Sequence, residues 1–176
     1  MPLMDAVLYD EEIKNYLGKS VDIEHYPFAA LNTAYLAEGL FIRVSKDVAL
    51  DWPLVVFNHT HSCHDNLFYN VRNIIVLENG ASAGLVEFYG YSAEKSRYFA
   101  NVVNEIYLGR NASLRHYKFQ NEAFKAVHIS LSQVKVKSGG TYDSFCLQRG
   151  ANLARNETKV LLTEENARAD VNAAYI

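Results

Sequence analysis

The chain has 176 residues, 49% hydrophobic, 21% charged and 12% aromatic, with a formal net charge of −3. That length and balance suit one globular domain with a sizeable core and exclude a disordered chain. A pI near 6.1, without a Lys/Arg cluster, argues against nucleic acid as the main partner.

Residues 1–39 read as an irregular and partly helical lead-in. Asp10 to Leu17 (DEEIKNYL) has a short helical pattern, with Asp10 as cap and Gly18 as stop. Pro27 and the small residues beside it read as irregular chain. The N-terminus shows no secretory pattern, and no apolar run reaches the ~18 residues a membrane helix needs. Two cysteines, Cys63 and Cys146, form no disulfide framework, so a cytoplasmic, reducing location is expected.

From Leu40 the texture changes to strand. Phe41–Val44 and Leu54–Phe57 flank the turn-like SKDVALDWP, and Asn58 is expected to end the second strand. The stretch from His59 to Asn66 then reads as a polar connection. A repeat follows, anchored at Leu77, Leu108, Val136 and Leu162, with spacings of 31, 28 and 26 residues. Apolar residues recur two before each anchor (Ile75, Ile106, Val134, Val160). They recur nine after it (Val86, Tyr117, Phe145, Val171) and eleven after it (Phe88, Phe119, Leu147, Ala173). Val44, with Ile42 before it and Val55 eleven after it, looks like a poorer first copy.

Gly80, Asn111 and Gly139 sit three residues after their anchors. They are residues that accept positive φ cheaply, as a sharp corner requires. The fourth copy has Glu165 there and Asn166 next, a pattern that allows its corner to sit one residue later. Small Ala81, Ala112 and Gly140 follow the corners, where two sheets approach. Each repeat supplies two strands, and stacked turns pair equivalent strands in parallel with the apolar columns inside. The expectation is an all-β fold over residues 40–176: a right-handed parallel β-helix of two strands and about 28 residues per turn. The alternative is an up-and-down β-sandwich, which the long return connections Gly90 to Arg97 and Gln120 to Lys125 disfavour.

Several groups are candidates for chemistry. His59, His61, Cys63 and His64 form the one local set of metal-ligand types, and the plainer reading is a solvated surface connection. In this register Cys146 and His116 face outward, and so does the column Glu87, Lys118, Cys146 and Asn172. His128 sits where the alternation slips. Arg155 and Asn156 are expected to close a return loop by hydrogen bonds. There is no P-loop and no nucleophile elbow, so no catalytic, cofactor-binding or metal residue is assigned and no enzyme activity is expected. A rival reading, a carbohydrate-active β-helix enzyme, needs paired carboxylates. Its candidates, Glu87, Asp143, Glu157 and Asp170, fall in different columns of this register.

Arg72 to Tyr89 (RNIIVLENGASAGLVEFY), Asn111–Ala112 to Phe119, Leu153–Asn156 and Val160–Ala167 resemble the SufB/SufD core family, with SufD the nearer branch. Leu31–Ala34 and Gly39–Val44 are similar to the segment entering that core. The resemblance covers about residues 27–176. It implies a scaffold subunit of the Suf iron–sulfur cluster assembly machinery, built on a right-handed parallel β-helix. It further implies a SufB-like partner subunit, a SufC-like ABC ATPase and an iron–sulfur cluster held transiently in the assembled complex. The family's cluster-related and ATPase-docking segments lie beyond the matched region, so none of their residues is carried over. Ile176 falls in mid-pattern, which reads as a fragment or a reduced paralogue. Self-association through the β-helix ends is expected.

Overall fold

The computed structural model describes residues 1–61, 66–92 and 96–176. Ten strands run in chain order: β1 Phe41–Val44, β2 Leu54–Thr60, β3 Leu67–Leu77, β4 Ser82–Tyr91, β5 Tyr98–Leu108, β6 Ser113–Glu122, β7 Val127–Val136, β8 Thr141–Gly150, β9 Leu153–Leu162 and β10 Arg168–Tyr175. Odd-numbered strands form one sheet, ordered β1-β3-β5-β7-β9, and even-numbered strands form the other, ordered β10-β8-β6-β4-β2. Every neighbouring pair is parallel. Each repeat is one coil that cannot bury its own apolar face, and stacking the coils joins those faces into one core. The fold is a parallel β-helix.

The anchors stack directly: Val44 on Leu77, Leu77 on Leu108, Leu108 on Val136 and Val136 on Leu162. Val44, Leu77, Leu108 and Val136 join Ile75, Ile106 and Val134 with Ala83, Leu85, Leu114 and Tyr142 of the even sheet in the main hydrophobic cluster, while Leu162, on the last coil, is 48% exposed. The corners turn at residues in the left-handed region: Asp47, Gly80, Asn111, Gly139 and Asn166, with φ between 56° and 74°. The fourth corner does turn at Asn166, one residue late. Its extra residue sets Asn172, not Val171, beside Phe145, and Ala173 beside Cys146. The first corner is two residues longer than the second, so Val55 stacks on Val86 and Phe57 on Phe88.

Inside the corners the sheets meet closely. A Cβ on Gly140 would lie 2.9 Å from both the Lys137 carbonyl oxygen and a Val136 methyl. Only small residues fit, and Ala81 and Ala112 fill the equivalent places with almost no exposure.

The lead-in is more ordered than its composition suggests. α1 spans Leu3–Tyr9, a 3-10 turn spans Glu11–Asn15 and α2 spans Pro27–Ala34. Asp10 caps the turn by accepting from the Glu12 amide, and Gly18 lies at φ 73°. Pro27, read above as irregular chain, instead opens α2, because proline's fixed φ suits the first helical position. The lead-in covers the outer face of the odd sheet. Leu3, Ala6 and Ile13 pack on Phe41, Ile74 and Val76, while Val21 and Ala29 pack on Val103 and Leu131.

Polar contacts fix the lead-in's register. Glu105 accepts from the Gly18 and Ser20 amides and from Arg72, whose Nη2 lies 2.7 Å away. The Tyr107 hydroxyl donates to the Tyr16 carbonyl at 2.6 Å, and Asn32 Nδ2 donates to the Val71 and Asn101 carbonyls. The Arg72–Glu105 pair is fully buried, so either partner alone would leave an uncompensated charge.

Candidate functional site

On the even sheet the side-chain parity is the reverse of the one inferred from sequence. Ala83, Leu85, Glu87 and Tyr89 of β4 point into the coil, and Val86 and Phe88 point out. By register Glu87, Lys118 and Cys146 form one interior column; Glu87 is 1% exposed and Lys118 7%. The interior has two halves. Next to the corners it is hydrocarbon, and towards the return connections it becomes a buried network of charged and polar groups.

The first part of that network centres on Glu87. It accepts from the Tyr89 hydroxyl at 2.8 Å and from Asn104 Nδ2 at 3.0 Å, and it lies 3.2 Å from His116 Nε2. The other ring nitrogen of His116 is 3.0 Å from the Tyr142 hydroxyl. Asn104 also accepts from Asn73 at 2.9 Å, which extends the network to the next coil. Burial favours the neutral acid at Glu87. The His116 hydrogen bond and the His116 and Lys118 charges outweigh it and hold the carboxyl well below its ordinary value.

The second part centres on Lys118. Its ammonium donates to Ser130 Oγ at 2.8 Å and Asn156 Oδ1 at 2.6 Å, lies 3.0 Å from His128 Nε2 and sits 4.6 Å above the Tyr89 ring. All three ammonium protons therefore have acceptors. An ammonium cannot accept, so His128 Nε2 must be the acceptor and Nδ1 must carry the proton, which it donates to Glu122 at 2.9 Å. Burial, and then the neighbouring Lys118 charge, push the His128 pKa down to about 4. Tyr98 donates to the same Glu122, and both side chains are buried.

A cavity of about 190 Å³ opens beside this network, bordered by His116, Lys118, Ser144, Cys146, Gln148 and Asn156. Cys146 is half-buried there, and burial pushes its thiol pKa up while the Lys118 charge opposes the shift. A raised thiol pKa means little thiolate, hence a weak nucleophile at neutral pH.

The sequence candidates therefore separate. His116 and Cys146, expected to face outward, lie inside, and His128 is wholly buried in the same network. Asn172, expected in the Glu87 column, stacks instead on outward Phe145. Asn156 is in the network through Lys118, whereas Arg155 pairs with Glu157 at 2.6 Å rather than closing a loop with Asn156. β2 runs on to Thr60, past Asn58, so His59 is still strand. His59 and His61 both approach the Ser92 hydroxyl, at 2.6 and 3.1 Å. Cys63 and His64 lie outside the described residues. Among the described residues no three His, Cys, Asp or Glu side chains gather as a metal set. Asp143 and Asp170 are direct cross-strand neighbours, not members of separate columns, while Glu87 is interior and Glu157 is on the odd sheet. Tyr98 and Glu122 escaped the sequence reading; their signal was a polar residue repeating at strand period beside the return connections.

The outward parity of the even sheet leaves two apolar rows. One is Val55, Val86, Tyr117 and Phe145; the other is Phe57, Phe88, Phe119 and Leu147. Phe57 is 74% exposed and stacks on Phe88 at a centroid distance of 5.0 Å, and Phe119 follows 5.8 Å from Phe88.

A parallel β-helix with a polar, charged interior defines an architecture and not one chemistry. Residues 58–176, two-thirds of the chain, match the family described as SUF system FeS cluster assembly, SufBD core domain, and the chain belongs to that family. It is 27% identical over 173 residues to an iron–sulfur cluster assembly SufBD family protein of Synechocystis, covering 94% of this chain and 38% of that protein. It is 28% identical over 166 residues to one of Staphylococcus haemolyticus, covering 93% of this chain and 35% of that protein. The chain thus spans little more than a third of the length of these relatives.

Proposed function

We propose that this chain acts as a SufD-like scaffold in iron–sulfur cluster assembly, working through protein association rather than through catalysis of its own. Its partners in this reading are a SufB-like subunit and a SufC-like ABC ATPase, and a cluster is held only transiently in the assembled complex. The observation that carries the reading is the SufBD-core match laid over an unbroken stack of parallel coils. Such a stack offers binding surfaces in three places: its sheet faces, its edge strands and its ends. The interior network supports a structural part for the polar residues. Lys118, Glu87 and His128 have their hydrogen-bonding capacity taken up by one another and by neighbouring groups. Cys146 has its thiol pKa raised, which suits an inert side chain better than an acceptor. A cytoplasmic setting follows from the same reading.

The test is affinity capture of the tagged chain co-expressed with a SufB-like subunit and a SufC-like ATPase. Retention of the SufB-like subunit through a salt wash supports the scaffold reading. Loss of both partners, with the chain itself folded, contradicts it.

A further inference from the structure

We propose that the outer face of the even sheet is an interface between two copies of this chain, packed face to face about a two-fold axis that runs along the coil stack. The two sheets differ in what covers them. On the odd sheet's outer face Ile74, Val76 and Val103 are at most 3% exposed because the lead-in lies across them, and only positions beyond it, such as Leu153 and Leu161 on β9, are more than half exposed. No described segment does this for the even sheet, whose Val55, Phe57, Tyr117 and Phe145 are 39–74% exposed. Two contiguous rows of this kind are more apolar surface than scattered single residues leave.

The charges flanking the rows select the occupant and the geometry. On one side of the rows lie Arg115, Asp143 and Asp170; on the other lie Asn121 and Arg149. A two-fold axis along the stack sets each strand against its own counterpart, antiparallel, and places one apolar row over the other. It brings Asp143 opposite Arg149 of the second copy, twice, and Arg115 opposite Asn121, so no like charges meet. The other two-fold choice, with the axis along the strands, fails on the same residues. Centred on β6, it puts Arg115 against Arg115; shifted to avoid that, it leaves Val55 and Phe57 uncovered. Five strands ~4.8 Å apart and four side-chain rows ~6.7 Å apart give an area of about 600 Å² per copy. That lies at the low end for a specific interface and matches a reversible dimer. The contact is sheet on sheet and leaves the edge strands free, so it is separate from the association proposed above and does not rest on it.

The test is sedimentation equilibrium of the whole chain over a micromolar concentration series, with D143R, R149D, the double variant D143R/R149D and F119E. Asp143 and Arg149 lie six residues apart on one strand, too far to pair within one copy, so rescue by the double variant reports a contact between copies. The expected result is a monomer–dimer equilibrium weakened about tenfold by either single reversal and restored to within about threefold by the double variant. F119E, with an unchanged circular dichroism spectrum, stays monomeric. A wild-type monomer throughout, or dimers that ignore F119E, or a double variant no better than the singles, overturns the proposal. Dimers that ignore F119E would assign the association to the strand edges.

Discussion

The interior of this β-helix shows how one proton position follows from a neighbour's chemistry. Lys118 can only donate, so the histidine nitrogen facing it must be bare, and a second proton on His128 would point at an ammonium. An unfolded histidine titrates near 6.5, whereas in the fold His128 is pushed down to about 4. Between those values the unfolded chain binds more protons, so stability rises with pH through this window and is lost as pH falls through it. Glu87, also held below its ordinary value, adds a loss in the same direction below about pH 4.5. We expect the chain to lose on the order of 3 kcal/mol from the His128 effect between pH 6.5 and 4. His128→Gln, which cannot titrate, flattens that slope at the cost of some stability at neutral pH. Urea unfolding at half-unit pH steps measures both. A slope unchanged in the variant would show that other groups account for it.

The corner is the element that sets the register of every coil. Gly139 lies at φ 67°, and a Cβ there would stand 2.2 Å from Asn111 Oδ1 in the coil below. Gly139→Ala is expected to cost about 1–3 kcal/mol, from left-handed strain plus that clash. Asn111→Gly, at φ 56°, is expected to be near neutral. Thermal unfolding of both variants, with Asn111→Gly restoring part of the Gly139→Ala loss in the double variant, checks that the corners stack. The corners and anchors were legible in the sequence because Gly, Asn and small residues mark them chemically. The even sheet's parity was not. A strand such as Val86-Glu87-Phe88 alternates equally well with either face inward, and periodicity has no sign. Assigning the apolar face to the core is the usual choice, and it reversed the positions of Glu87, His116, Lys118 and Cys146. The interior hydrogen bonds that make Glu87, His116 and Lys118 tolerable inside join residues from different coils, some of them on opposite sheets, so no local pattern announces them. The same reversal concealed the outer apolar rows. The Asp143–Asp170 adjacency was missed for another reason: the fourth corner's extra residue shifted the column.

For the whole molecule, the consequence is a coil stack turned partly inside out. Half the coil interior is hydrocarbon and the other half is a polar network in which Lys118 and Glu87 are fully paired while Gln120 Oε1 and Asn156 Nδ2 are not, and aromatic side chains stack in rows on an open face. Placing charge inside costs desolvation, which is offset only when each group is paired, as Lys118 and Glu87 are. Apolar rows on the outside are the surface the proposed association would use. Hydroxyl-radical footprinting of the natural side chains in dilute solution tests this arrangement directly. Phe57 and Tyr117 should be modified quickly, while Tyr89, Tyr142 and His128, each no more than 1% exposed, stay protected until the chain unfolds. Rapid modification of Tyr89 and His128 with Phe57 and Tyr117 protected at the same dilution would contradict it.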